Sequence, residues 1–177
     1  MAYTLEQFCE VTQETLSTVP GAAGRDAVRQ DLETLLKDKE FLAQYCGPDA
    51  EPGIRTVYRC PKTGFNVLVH IYEKGKSGPP HDHGDSWAIY GQADGHTIMT
   101  TWKRLDDGAA AGKASLEQDQ SWRLDPGMAG KFEPKDIHSI KISDGSKFVR
   151  VTGTDLDTIE TLVFNADEGS VKAGNRL

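Results

Sequence analysis

The stretch "GKSGPPHDHGDSWAIYGQADG", residues 75–95, holds two of the five histidines of the chain in the spacing H-x-H. In an extended strand residues i and i+2 point to one side, so His81 and His83 are expected to aim their imidazoles together, with Asp82 facing the opposite way. Two imidazoles do not complete a metal site. The best source of a third is His138 in "FEPKDIHSIKI", residues 132–142, which opens a strand after a proline-containing turn. Antiparallel pairing would lay that strand beside the first. Imidazole nitrogen suits iron, zinc, copper and nickel alike, so the spacing does not choose the ion.

Around this stretch the chain reads as β structure. From Ile54 onward, short runs rich in β-branched and aromatic residues follow one another: "IRTVYR", "FNVLVHIY", "WAIYGQ", "HTIMTTW", "SWRL", "MAGKF", "HSIKI", "KFVRVT" and "TLVF". Turns such as "DDG" and "SDG" separate them, and "GAAAGK" reads as a hairpin loop. Such spacing predicts a sandwich or barrel rather than alternating β and α units. The tail "NADEGSVKAGNRL" is polar and is expected to be loosely held.

The first 47 residues read differently. Leu5, Phe8, Cys9, Thr12 and Leu16 recur at helical spacing, and Thr4 with Gln7 fits a capping box. A second helix is expected from about Arg25 to Tyr45, its apolar stripe made by Val28, Leu32, Leu35, Leu36 and Leu42. These helices are expected to pack on the β region. The 177 residues fit one domain, 1–177, with a helical extension over 1–47 and a barrel over 54–165.

With 27 acidic and 20 basic side chains the net charge is −7, which works against attraction to nucleic acid or an anionic membrane surface. A small molecule is the expected partner. No apolar run approaches the roughly 20 residues of a membrane span, and "MAYTLEQFCEVTQ" lacks the basic start and apolar stretch of a signal peptide. A cytoplasmic protein is therefore expected. Cys9, Cys46 and Cys60 lie far apart without a C-x-x-C pair and read as reduced structural thiols.

The frame G-x5-H-x-H-x11-G, from Gly75 through His81 and His83 to Gly95, resembles the first sequence motif of the cupin superfamily, and "PKDIHSI" resembles the second. The resemblance covers roughly residues 55–165. It implies a mainly β fold, the cupin double-stranded β-helix or jelly-roll barrel with N-terminal α-helices, and a metal held by His81, His83 and His138. Many cupins carry a glutamate seven residues before the last glycine of the first motif, where this chain has Ala88. In that respect it is similar to the bacterial thiol dioxygenases, which hold ferrous iron with three histidines and have a small residue at that place.

Three neutral imidazoles leave the +2 charge of a metal uncompensated, which favours an anionic ligand such as thiolate. The segment "VYRCPKTGFNVLVHIYEKG" resembles the one that brings an arginine to the substrate carboxylate, and Arg59 occupies that place, where it can make two parallel hydrogen bonds. Trp87 and Gln92 are candidates for a cavity wall. The chain departs from the pattern on a late strand: Phe148, Arg150 and Thr152 stand where thiol dioxygenases carry Ser-x-His-x-Tyr, and Ile142 replaces an asparagine sometimes seen after the second-motif histidine. Alternation puts those three on one face, so Arg150 is a second candidate anion-binding charge. His70 reads as a barrel or surface histidine, and His96 as a possible lining residue of a cavity.

The resemblance thus implies an Fe(II) dioxygenase acting on a small anionic organic thiol and O2, with Arg59 and Arg150 as substrate-facing residues and a homodimer as a possible state. Zinc or nickel is a possible alternative to Fe(II). Open beside it are a metal-binding cupin with other chemistry, another oxygenase or a lyase, and a noncatalytic small-molecule-binding cupin.

Overall fold

The computed structural model describes residues 3–174. Three helices come first: α1 (Leu5–Thr18), α2 (Ala22–Leu35) and α3 (Lys39–Cys46). The capping box of α1 is formed, with the Thr4 side chain accepting from the Gln7 N–H and Gln7 reaching back to the Thr4 N–H. The expected second helix is two. Its apolar stripe does continue through Leu42, but the chain breaks at Leu36–Asp38, where the Asp38 carboxylate accepts the N–H groups of Glu40 and Phe41 and starts α3 afresh.

Among the described residues eleven strands follow: β1 (Gly53–Arg59), β2 (Asn66–Ile71), β3 (Lys76–Ser77), β4 (Ala88–Asp94), β5 (Thr97–Arg104), β6 (Leu116–Leu124), β7 (Ala129–Phe132), β8 (Ile137–Ile142), β9 (Lys147–Thr152), β10 (Leu162–Asn165) and β11 (Ser170–Ala173). They form a five-stranded sheet in the order β1-β2-β9-β4-β7, a four-stranded sheet in the order β3-β8-β5-β6, and a β10-β11 hairpin. Every pairing is antiparallel. Ala88, Tyr90, Phe132 and Phe148 from the first sheet meet Met99, Leu124, Ile140 and Ile142 from the second in one core, so the sheets face each other as the two walls of a jelly-roll barrel. This is the double-stranded β-helix, with helices at the N-terminal end, that the sequence implied.

The inner strands β2, β4 and β9 of the five-stranded sheet are largely buried on both faces, whereas β1 at its edge is mostly exposed. Residues Val67, Val69, Ile71, Ile89, Val149 and Val151 point outward into a second core with Phe8, Val28, Leu32, Leu35 and Phe41 of the helices. Their alternates, Asn66, Leu68 and His70 on β2, Phe148, Arg150 and Thr152 on β9, and Ala88, Tyr90 and Gln92 on β4, stand opposite one another in register on the barrel side. Strand β11 falls in the tail expected to be loose, where Ser170–Ala173 pairs with β10; Asn175–Leu177 lie outside the described residues.

The two frame glycines have distinct physical reasons. Gly95 turns β4 into β5 at a φ of +67°. At Gly75 a Cβ would lie 2.5 Å from the Ile142 carbonyl oxygen, so only hydrogen permits the approach that seats β3 on β8. The obstacle is backbone and cannot rotate away. Gly75→Ala is therefore expected to cost about 1–3 kcal/mol of stability in urea unfolding, whereas alanine at Gly127, where nothing lies within 4 Å but φ is +87°, should cost only the backbone strain, about 1 kcal/mol.

Candidate metal centre

His81 is held by backbone pairing with His138: the His81 N–H donates to the His138 carbonyl at 2.9 Å and the His138 N–H returns the bond at 3.0 Å. His81 also bridges to Val163 at the foot of β10. The chain then leaves the extended form, and Ser86 N–H closes a turn on the His83 carbonyl at 3.0 Å. H-x-H is therefore a bridge followed by a turn rather than a full strand, yet the two imidazoles still converge.

The ligand-capable atoms of His81, His83 and His138 all lie within 4.8 Å of one another. Ring centroids are 4.5 Å apart for His81 and His138, 4.7 Å for His83 and His138, and 5.5 Å for His81 and His83. All three rings are buried, His83 and His138 completely. The Nδ1 of His81 is 3.0 Å from the Pro79 carbonyl, which can only accept, so the proton sits on Nδ1 and the lone pair on Nε2. His138 stacks on Phe132 at 3.8 Å between centroids. Three neutral nitrogen donors in a buried cluster match the donor chemistry of a divalent transition metal.

No carboxylate joins this group among the described residues. Ala88, fully buried between Phe132 and Thr152, occupies the inner face where a glutamate would reach inward. Asp82 lies outside the imidazole cluster and is 5 % exposed rather than solvated. Its Oδ1 accepts the N–H groups of Gly84 at 3.0 Å and Leu162 at 2.8 Å, tying the metal loop to β10.

The two arginines read from sequence border one small cleft of about 50 Å³, shared with Asn66, Leu68, Thr152 and Asp155. They differ in setting. The Arg59 side chain is 61 % exposed and forms an ion pair with Asp155 at the rim. Arg150 lies on the inner face, directly opposite Tyr90 on one side and Leu68 on the other. Its Nε is buried without a hydrogen bond, and among the described residues it has no ion pair. Trp87 belongs to the helix-side core. Gln92 is spent on structure, donating to the Asp94 carbonyl and Ser146 Oγ and accepting from Thr97 Oγ1. His96 stands in the β4–β5 turn, its N–H held by Ser143 Oγ.

Sequence reading passed over Tyr90, whose hydroxyl lies 3.1 Å from His83 Nε2 and borders the space among the imidazoles. Its signal was available: it is two positions beyond Ala88 and so shares its face. His70 is 2 % exposed, stacked on Phe148 at 4.4 Å, with Nδ1 3.2 Å from the Tyr72 hydroxyl. Burial, with the positive charges of Arg150 and Lys76, pushes its pKa well below the ordinary 6.5.

Two facing antiparallel sheets around a buried three-imidazole cluster define a jelly-roll barrel with a candidate metal centre inside it. No protein-family model matches the chain, and no curated protein matches it in sequence. The solved structures to which it is similar include a cupin superfamily protein from Desulfitobacterium hafniense, with 15 % identity, covering 62 % of this chain and 86 % of that one, at a TM-score of 0.43. KdgF from a Halomonas species has 20 % identity, covering 63 % and 88 %, at 0.45. A cupin-2 domain protein from Shewanella frigidimarina has 13 % identity, covering 63 % and 89 %, at 0.43. The assignment of the barrel rests on the strand order and register described above.

Two outcomes follow from this geometry. Equilibrium dialysis should find one divalent ion per chain, with His81→Ala, His83→Ala and His138→Ala each lowering affinity by at least about tenfold and abolishing the rise in Tm that the ion produces. His70 supplies the second. Its folded form binds fewer protons than its unfolded form just below pH 6.5, so the stability it contributes is present above that pH and lost as pH falls, by up to about 1.4 kcal/mol per pH unit. Urea unfolding at about pH 7.5 and 5.5 should show wild type losing more stability than His70→Phe, since the other histidines are common to both.

Proposed function

We propose that the chain is a mononuclear non-haem metal enzyme, an Fe(II) dioxygenase that oxidises a small anionic organic thiol. The observation that carries this reading is the charge inventory of the barrel interior: three neutral imidazoles, Ala88 where a carboxylate ligand would stand, and Arg150 without an acidic partner among the described residues. A divalent ion added to that interior leaves a local excess of positive charge that a thiolate and a second anionic group offset. When bound, the ion supplies a Lewis-acidic, redox-active centre for thiolate and O2. His81, His83 and His138 would hold it.

The remaining work falls to the chain's own groups. Arg150 binds the anionic end of the substrate from the inner wall, and Arg59 borders the same cleft from the rim, where Asp155 holds it. Tyr90, with its hydroxyl at His83, limits the room beside the imidazoles and so favours a slender substrate. Burial in the barrel keeps bulk water from the reacting sulfur. The overall change is balanced: the thiol sulfur gains both atoms of O2, losing four electrons that O2 accepts, and the product is a sulfinate with release of the thiol proton.

Fe(II)-loaded protein in an oxygen electrode tests this reading with 3-mercaptopropionate, cysteine, neutral 2-mercaptoethanol and cationic cysteamine. The expected result is uptake of one O2 per anionic thiol, with sulfinate as product, poor turnover of the neutral and cationic thiols, and none in His138→Ala. Absence of thiol-dependent uptake across the panel would sink the assignment and leave a metal-binding cupin with other chemistry or a binding protein.

A further inference from the structure

Two buried nitrogen atoms on the inner wall have no hydrogen-bond partner among the described residues: Nε2 of His70 and Nε of Arg150. An unsatisfied buried polar group costs roughly 1–3 kcal/mol, so a pair of them on one surface calls for a common partner. The register places them together. His70 on β2 opposes Phe148 on β9, and Arg150 is two residues along β9 on the same face, which makes the two side chains diagonal neighbours at roughly 7–8 Å between backbone positions. Arg150 in turn opposes Tyr90, whose hydroxyl meets His83. A line across adjacent strands thus runs from the imidazole cluster through Tyr90 and Arg150 to His70.

We propose that His70 and Arg150 form the subsite for the anionic head of the substrate, and that the group it takes is a carboxylate or a similarly small oxyanion. With the Tyr72 hydroxyl, 3.2 Å from His70 Nδ1, as the donor, the proton of the neutral ring sits on Nε2 and is available to the head group. Arg150 supplies the charge and a forked pair of donors; His70 supplies a neutral, directional one. The stack on Phe148 fixes the imidazole plane. Arg59, exposed and already paired with Asp155, lies outside this subsite. The inference deepens the proposed function and rests on its metal centre, but concerns the end of the substrate remote from the metal.

Calorimetric titration of the Zn(II)-loaded full chain separates the two ideas, because zinc binds without redox chemistry. The probes are propionate, 3-mercaptopropionate and neutral propanamide, and each variant is first checked for native circular dichroism and one zinc per chain. Wild type is expected to bind propionate but not propanamide, with affinity falling tenfold or more in Arg150→Met and in a second variant, Arg150→Gln, and at least threefold in His70→Phe, which keeps the stack on Phe148. Propionate affinity unchanged in the Arg150 variants or in His70→Phe, or no propionate binding by wild type, overturns the subsite. If 3-mercaptopropionate binds no more tightly than propionate, the thiol reading fails while the subsite stands.

Discussion

The site depends on a narrow antiparallel bridge of two hydrogen bonds between His81 and His138, residues 57 positions apart in sequence. Each N–H meets the other residue's carbonyl, which sets the two residues directly opposite one another, with ring centroids 4.5 Å apart. Closing so long a loop costs conformational entropy that a single ion need not repay, because the barrel core already does so through Met99, Phe132, Ile140 and Phe148. The ligands are arranged by folding rather than by the metal. A preorganised set loses little freedom on binding, and affinity is correspondingly greater than for three histidines gathered from flexible loops.

The same alternation that builds the wall divides its labour. On β2, β4 and β9 one face carries Val67, Val69, Ile89, Val149 and Val151 to the helices, and the other carries the polar set to the interior. Moving β9 by one residue would exchange its two faces and turn Arg150 toward the helix-side core. The helices are thus more than a cap: their apolar stripe fixes the register that points Tyr90 and Arg150 inward. Asp82 performs the corresponding task on the far side of the metal loop, its carboxylate spent on the N–H groups of Gly84 and Leu162 so that its charge is satisfied away from the imidazoles.

Much of this was legible in the sequence, for reasons that differ by element. Runs such as "FNVLVHIY" and "KFVRVT" announce strands because they are buried on both sides, and "HDH" with "PKDIHSI" announces the cluster because ligand chemistry restricts residue types severely. The first half of β6, "LEQDQ", gave no signal: it lies in an outer strand where most side chains are exposed, so pairing with β5 demands hydrogen bonds but no apolar residue. The break after Leu36 was hidden because the stripe continues past it and only the Asp38 cap reveals the new start. His70 was read only as a barrel or surface histidine and Tyr90 was passed over, because their significance lies in which strand each one faces, and strand order is not written locally.

The departure on β9 takes on a different aspect once the strands are in place. Where the resembled family has Ser-x-His-x-Tyr, this chain has Phe148, Arg150 and Thr152, and no imidazole or phenol stands on that strand. The adjacent strand and the turn after it carry His70 and Tyr72, hydrogen-bonded to each other and stacked about Phe148, on the same inner wall. Phe148 is therefore not an empty substitution: its ring is the surface against which the imidazole is held. Burial, and after it the neighbouring guanidinium of Arg150, opposes protonation of His70. One wall thus presents a fixed charge and a neutral imidazole at diagonal positions, the pair on which the proposed anion subsite is built.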